Sequence, residues 1–134
     1  MPGKAKVVAA YLDGRRLKGY TNDFSPAREH LVFFPEGAEA VPGGRGTPVR
    51  LAELKALFFV KDFAGDRARV NSPDVTQKPG RKLEVTFRDG ETVTGFSVAY
   101  NPKALGFFLQ PADSACNNER IFIVNRNAKQ IRVL

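Results

Sequence analysis

Hydrophobic and polar positions alternate cleanly in one stretch of the chain and less cleanly in another. Leu83, Val85 and Phe87 alternate with Glu84, Thr86 and Arg88, the period of two expected of a strand with one buried face. Asp89-Gly90 follows and predicts a hairpin, because the tight turn needs positive φ. Val7, Ala9 and Tyr11 lead into Asp13-Gly14 in the same way, although Val8, Ala10 and Leu12 blur the pattern. Burial of that strand on both faces accounts for the blur. After each turn a longer strand is interrupted by a glycine, Gly19 or Gly95, which predicts a bulge or sharp bend. Phe24-Ser25-Pro26 and Tyr100-Asn101-Pro102 predict turns, and the next strands read LVFFP at 31–35 and FFLQP at 107–111. Each ends on a proline, which lacks the ladder donor.

These stretches are two copies of one pattern. Residues 11–35 lie over residues 87–111 at a constant offset of 76, placing Asp13-Gly14 on Asp89-Gly90, Gly19 on Gly95, Pro26 on Pro102 and Pro35 on Pro111. Self-similarity of this kind decides how ambiguous segments are read. TPVRLAELKALFFV at 47–60 has helical spacing and good helix formers, but its counterpart ERIFIVNRNAKQIRVL reads as strand, polar turn, strand. With Lys55 placed on Lys129, an offset of 74, the reading becomes strands at 49–51 and 56–60 with a single helical or 3₁₀ turn over Ala52 to Lys55. The expected organisation is a first repeat at 1–62, a linker at 63–82 rich in Gly, Pro, Asp and Asn, and a second repeat at 83–134. The expected fold is all-β, two tandem small β-barrels of about five strands each.

Composition narrows the functions. A chain of 134 residues with 43% hydrophobic and 26% charged residues has a globular profile, and can bury roughly two thirds of its unfolded surface. No apolar run approaches the roughly 18 residues of a membrane span, and no signal-peptide core is present, so a cytoplasmic location and no membrane partner are expected. One cysteine, Cys116, excludes an internal disulfide, and one histidine, His30, removes the usual imidazole ligand sets and triads. A non-enzymatic protein without cofactor or metal is therefore expected. The net charge of +7 favours association with polyanions.

The order of strand, Asp-Gly turn, glycine-bearing strand, strand, loop and two short strands across a tight turn resembles the Sm-like small barrel. VAAYLDGRRLKGYTNDF and LEVTFRDGETVTGFSVAY match its first motif. The resemblance implies a small binding module. Sm-like proteins that hold uridines carry an Asp-x-x-x-Asn segment and an Arg-Gly step, where this chain has SPAREH or NPKALG and AELKA or NRNAK; uridine binding does not follow. More narrowly, the whole chain is similar to an uncharacterised bacterial family with LKAxFFVxDF and PADxxxNNER segments, here LKALFFVKDF at 54–63 and PADSACNNER at 111–120.

Residues present in only one copy are the places to seek function. Arg15, Arg16 and Lys18 cluster at the first hairpin where the second copy has Glu91, Thr92 and Thr94; with Lys55 and Arg88 they form the expected nucleic-acid surface, since adjacent exposed cations suit a phosphate backbone. The aromatic residues flanking them, Tyr11, Tyr20 and Phe24, all have aromatic counterparts and read as core. Asn117, Asn118, Glu119 and Arg120 have no counterpart and form a candidate interaction surface. Asp23 to Arg28 resembles the PilZ serine motif but has arginine where glycine belongs, and supports only an alternative reading as a cyclic-dinucleotide or other small-molecule sensor. PGGRG at 42–46 lacks the phosphate-loop ending, Cys116 has no adjoining base, and Asp62 with Asp66 lacks a third metal ligand. The leading expectation is a binding or regulatory module for a protein or an RNA, with homo-oligomer formation through edge strands as a further partner reading.

Overall fold

The computed structural model describes residues 5–21, 24–25, 28–35, 46–61, 79–112 and 118–134. The Asp23 end of the PilZ-like segment, most of the glycine loop, Asp62, Asp66, most of the linker, Cys116 and Asn117 lie outside them. Ten strands form β1 (Ala5–Tyr11), β2 (Arg16–Thr21), β3 (His30–Pro35), β4 (Thr47–Arg50), β5 (Leu54–Val60), β6 (Arg81–Phe87), β7 (Thr92–Ser97), β8 (Gly106–Pro111), β9 (Asn118–Val124) and β10 (Ala128–Val133). Short 3₁₀ turns at Leu51–Glu53 and Asn125–Asn127 precede β5 and β10. The apparent helix at 47–60 is thus strand, 3₁₀ turn, strand, with the turn one residue earlier at its start than the repeat suggests. Among the described residues no helix is long and apolar enough to cross a membrane.

Both Asp-Gly hairpins form three-residue loops. Tyr11 N donates to Arg15 O and Phe87 N to Glu91 O, each at 2.8 Å. The loop glycines Gly14 and Gly90 have φ of 96° and 90°, a region that costs L side chains energy. Asp13 and Asp89 accept the N–H two residues on at 3.0 Å, which explains aspartate beside glycine. Gly95 answers to a different demand. It pairs with Pro111, and a β-carbon there would strike the Gln110 carbonyl and the Leu109 side chain. Close approach of β8, rather than a bulge, is what requires glycine.

The strands run in the order β10-β6-β7-β8-β9-β5-β1-β2-β3-β4. This is one antiparallel ten-stranded sheet, and it corrects the expectation of two closed barrels: the sheet is not closed. Its centre is β5, antiparallel to β1 on one side and to β9 on the other. All seven residues of β5 are buried, so each half uses it as a wall. Val8, Ala10, Ala56, Phe58 and Val60 pack with Leu83, Val85, Phe87, Phe107, Leu109, Ile121 and Ile123 in one core. Val7, Ala9, Leu54, Leu57 and Phe59 pack with Leu31, Phe33, Val49, Leu51, Phe122 and Val124 in the other. The blurred alternation of β1 is this two-faced burial. Each large apolar side chain so enclosed contributes about 1.5–3 kcal/mol, and that gain overrides the weak helix preference of LAELKAL.

Candidate functional site at the junction of the halves

The five cations of the expected nucleic-acid surface are placed differently from one another. Lys55, in the buried β5, is 5% exposed. Its Nζ lies 2.8 Å from Asp89 Oδ2 and 2.7 Å from Glu91 Oε2, both on the β6–β7 hairpin of the other half. The Phe87 ring lies beneath the ammonium, 4.7 Å from centroid to Nζ. Lys55 is thus a strut between halves and not a surface cation. Arg16 reaches the same Glu91 at 3.5 Å. Arg15 pairs with Asp13 at 2.8 Å and its guanidinium lies 4.5 Å from the Tyr11 centroid. Arg88 donates to the Arg126 carbonyl at 3.0 Å. Lys18 is exposed on β2, beside Leu17, Phe33 and Pro35.

Carboxylates therefore match much of this corner's charge. Hydrogen bonding from Lys55, then from the Glu91 N–H, holds the Asp89 carboxyl below the usual range. Asp13 is lowered in the same way, first by the Arg15 N–H and then by its guanidinium. Glu91 stands where the first copy has Arg15, and at that position it meets the Lys55 ammonium. Asn127 completes the strut. It is 5% exposed, and its Nδ2 donates at 2.8 Å to the carbonyls of Ala52 and Leu54 in the opposite half.

The polar segment before and within β9 forms a second feature of the junction. The side chain of Asn118 is not described, while Glu119 and Arg120 are exposed on β9. The Arg120 guanidinium lies 4.4 Å from the centroids of both Phe59 and Phe108. Those rings join Phe24 and Phe122 in an edge-to-face cluster with centroids 4.9–5.7 Å apart. Of the three aromatic residues read as core from the duplication, Phe24 joins this cluster and Tyr11 packs against the same core, while Tyr20 is half-buried; the solvent side of the cluster serves as a platform for Arg120. Stacked cations of this kind gain about 0.5–2 kcal/mol each, and the planar guanidinium keeps its donors directed sideways.

Arg120 and Glu119 separate two recesses. The larger, about 540 Å³, is walled by Phe96, Val98, Phe108 and Gln110. The smaller, about 300 Å³, is walled by Lys6, Phe59 and Lys61. The first offers apolar surface for a flat ring, and the second brings Lys6, Lys61 and Arg120 together around the Glu119 carboxylate. Chain pattern singled out Glu119 and Arg120, because that segment occurs once. It missed Lys6, Lys61, Phe59 and Phe108, which come together only when β1, β5, β8 and β9 are neighbours. Among the described residues no group of three or more His, Cys, Asp or Glu side chains is placed to hold a metal.

No curated protein and no solved structure shows significant similarity to the chain. A family model described as Family of unknown function (DUF6982) matches residues 3–134, and with that match over almost its whole length the chain belongs to this family.

Proposed function

We propose that this protein is a non-enzymatic binding module that holds single-stranded RNA across the two recesses beside Arg120. The observation that carries the reading is the Arg120 guanidinium held between Phe59 and Phe108 where an apolar recess meets Lys6 and Lys61. A base stacks against the first recess and its phosphate meets the cations of the second, the combination that single-strand binders use. The excess of +7 assists capture at a distance. Each half is read as an Sm-like unit, a reading supported by the order of its strands, its Asp-Gly turn and its central glycine. A cytoplasmic setting fits the single cysteine. Arg15, Arg16 and Lys18 serve as an outlying electrostatic patch, and Lys55 has no contact with the strand.

The test is fluorescence anisotropy with a labelled twelve-nucleotide RNA. Affinity is expected to fall with salt by roughly −0.7 in log K per log salt for each phosphate contact, and Arg120→Ala to weaken binding tenfold or more while Arg15→Ala changes it less than threefold. No binding at low salt, or an unchanged Arg120→Ala, refutes the reading. The larger recess favours a second reading, because its volume lies within the roughly 300–1,000 Å³ of small-molecule sites. A cyclic dinucleotide or mononucleotide that raises Tm at saturation, with RNA silent, decides for that sensor.

A further inference from the structure

The sheet ends on β10, which pairs with β6 on one side and has no strand neighbour on the other among the described residues. Its counterpart in the first half is β5, and there the corresponding side carries β9 antiparallel along Ala56 to Val60. An edge of this shape therefore accepts a strand within this same molecule. The occupied edge also shows what accompanies the strand, since the half that supplies β9 supplies Asp89 and Glu91 to Lys55. At the open edge the same position is Lys129, exposed and without a carboxylate partner among the described residues.

The side chains indicate the occupant. Ala56 and Phe58, buried in the first half, are replaced by exposed Gln130 and Arg132 in the second, so an apolar neighbour would find no matching surface. A second copy of this chain fits poorly. The strand corresponding to β9 is β4, and Leu51 N donates to Glu29 O on its β3 side. Backbone alternation then turns Pro48 and Arg50 towards the outer edge, where proline has no N–H to offer and arginine meets Lys129 and Arg132. The hairpin that would approach Lys129 carries Asp13 and Arg15, already paired with each other.

We propose that the outer edge of β10 docks an extended acidic segment of a partner protein as an eleventh, antiparallel strand, with its carboxylates on Lys129. Main-chain bonds supply the pairing and Lys129 selects the sequence, since Arg132 already pairs with Glu84 at 3.5 Å. The site is independent of the recesses beside Arg120.

The experiment uses the full chain and a labelled nine-residue peptide alternating Glu with Val or Thr, followed by anisotropy. A second peptide of the same charge carries two prolines, which prevent strand pairing and leave charge attraction intact. Leu134 N donates to Lys82 O at 2.9 Å, so the N–H of the neighbouring, exposed Val133 points outward, and Val133→Pro removes one docking donor. Saturable binding is expected, at least tenfold weaker for the proline peptide, for Val133→Pro and for Lys129→Glu, with Val133→Thr unchanged and every variant retaining its circular dichroism. Equal affinity for the two peptides overturns the proposal, as does binding unaffected by Val133→Pro. So does light scattering that finds the unliganded protein to be an oligomer which Val133→Pro returns to monomer.

Discussion

Replacing Asn127 tests whether the two halves unfold as one. Its amide donates two hydrogen bonds of 2.8 Å into the opposite half, one to the buried carbonyl of Leu54 and one to the partly buried carbonyl of Ala52. A neutral hydrogen bond contributes about 0.5–1.5 kcal/mol net, and a buried acceptor left unpaired adds a penalty of about 1–3 kcal/mol. Because one of the two carbonyls is only partly buried, water recovers part of that penalty, and Asn127→Ala is expected to cost about 2–3 kcal/mol. That is a substantial fraction of the roughly 5–15 kcal/mol that holds a domain together. Asn127→Asp is the sharper variant. It keeps the size but turns a carboxylate, which only accepts, towards two carbonyl oxygens, so it should cost more than alanine at neutral pH and recover on acidification as the carboxyl protonates. Urea unfolding followed by circular dichroism measures both. A single transition with unchanged m is expected, because β5 belongs to both cores. A loss below about 0.5 kcal/mol for alanine, an aspartate variant no worse than alanine, or two separate transitions would refute the reasoning.

Lys55→Met should flatten the acid limb of stability. Asp89 is depressed in the folded state by Lys55, so its contribution is present above the ordinary carboxylate pKa and disappears as pH falls through the lowered value; wild-type and variant curves that run parallel below about pH 4 would contradict this. Gly95→Ala should cost about 1–3 kcal/mol through overpacking, because the added methyl meets the Gln110 carbonyl and the Leu109 side chain. Phe58→Arg places in the first half the residue found at the equivalent position of the second. It should cost more than about 3 kcal/mol by emptying the core and burying a charge, while Arg132→Phe should change stability by less than about 0.5 kcal/mol. Thermal or urea unfolding compares the pair.

The contrast between Phe58 and Arg132 also marks what was legible in the chain. Strand positions, the two Asp-Gly hairpins and the 3₁₀ turns could be read from local pattern and from the repeat, because turn geometry and side-chain alternation are short-range demands. The repeat was informative where propensity misled, turning a helical-looking LAELKAL into turn and strand. The fate of Lys55 was not legible. Its sequence neighbours mark β5 as apolar, but nothing local says that Asp89 and Glu91, more than thirty residues away, close over its ammonium. Arg120 was identified by its absence from the other copy, yet its rings and flanking lysines come from β1, β5 and β8 and the residue after β5.

The amino-acid sequence by itself determined two similar sets of strands, the turns between them and the unshared residues where function is sought. Only the tertiary structure decided that the sets form one open sheet, that β5 is walled on both faces, and that β10 has a strand neighbour on one edge alone among the described residues. The physical reason is range. Hairpin and alternation energies act within a few residues, whereas the choice of neighbour for β5 depends on burying Ala56, Phe58 and Val60 together with Ile121 and Ile123, a gain that exists only once distant segments meet.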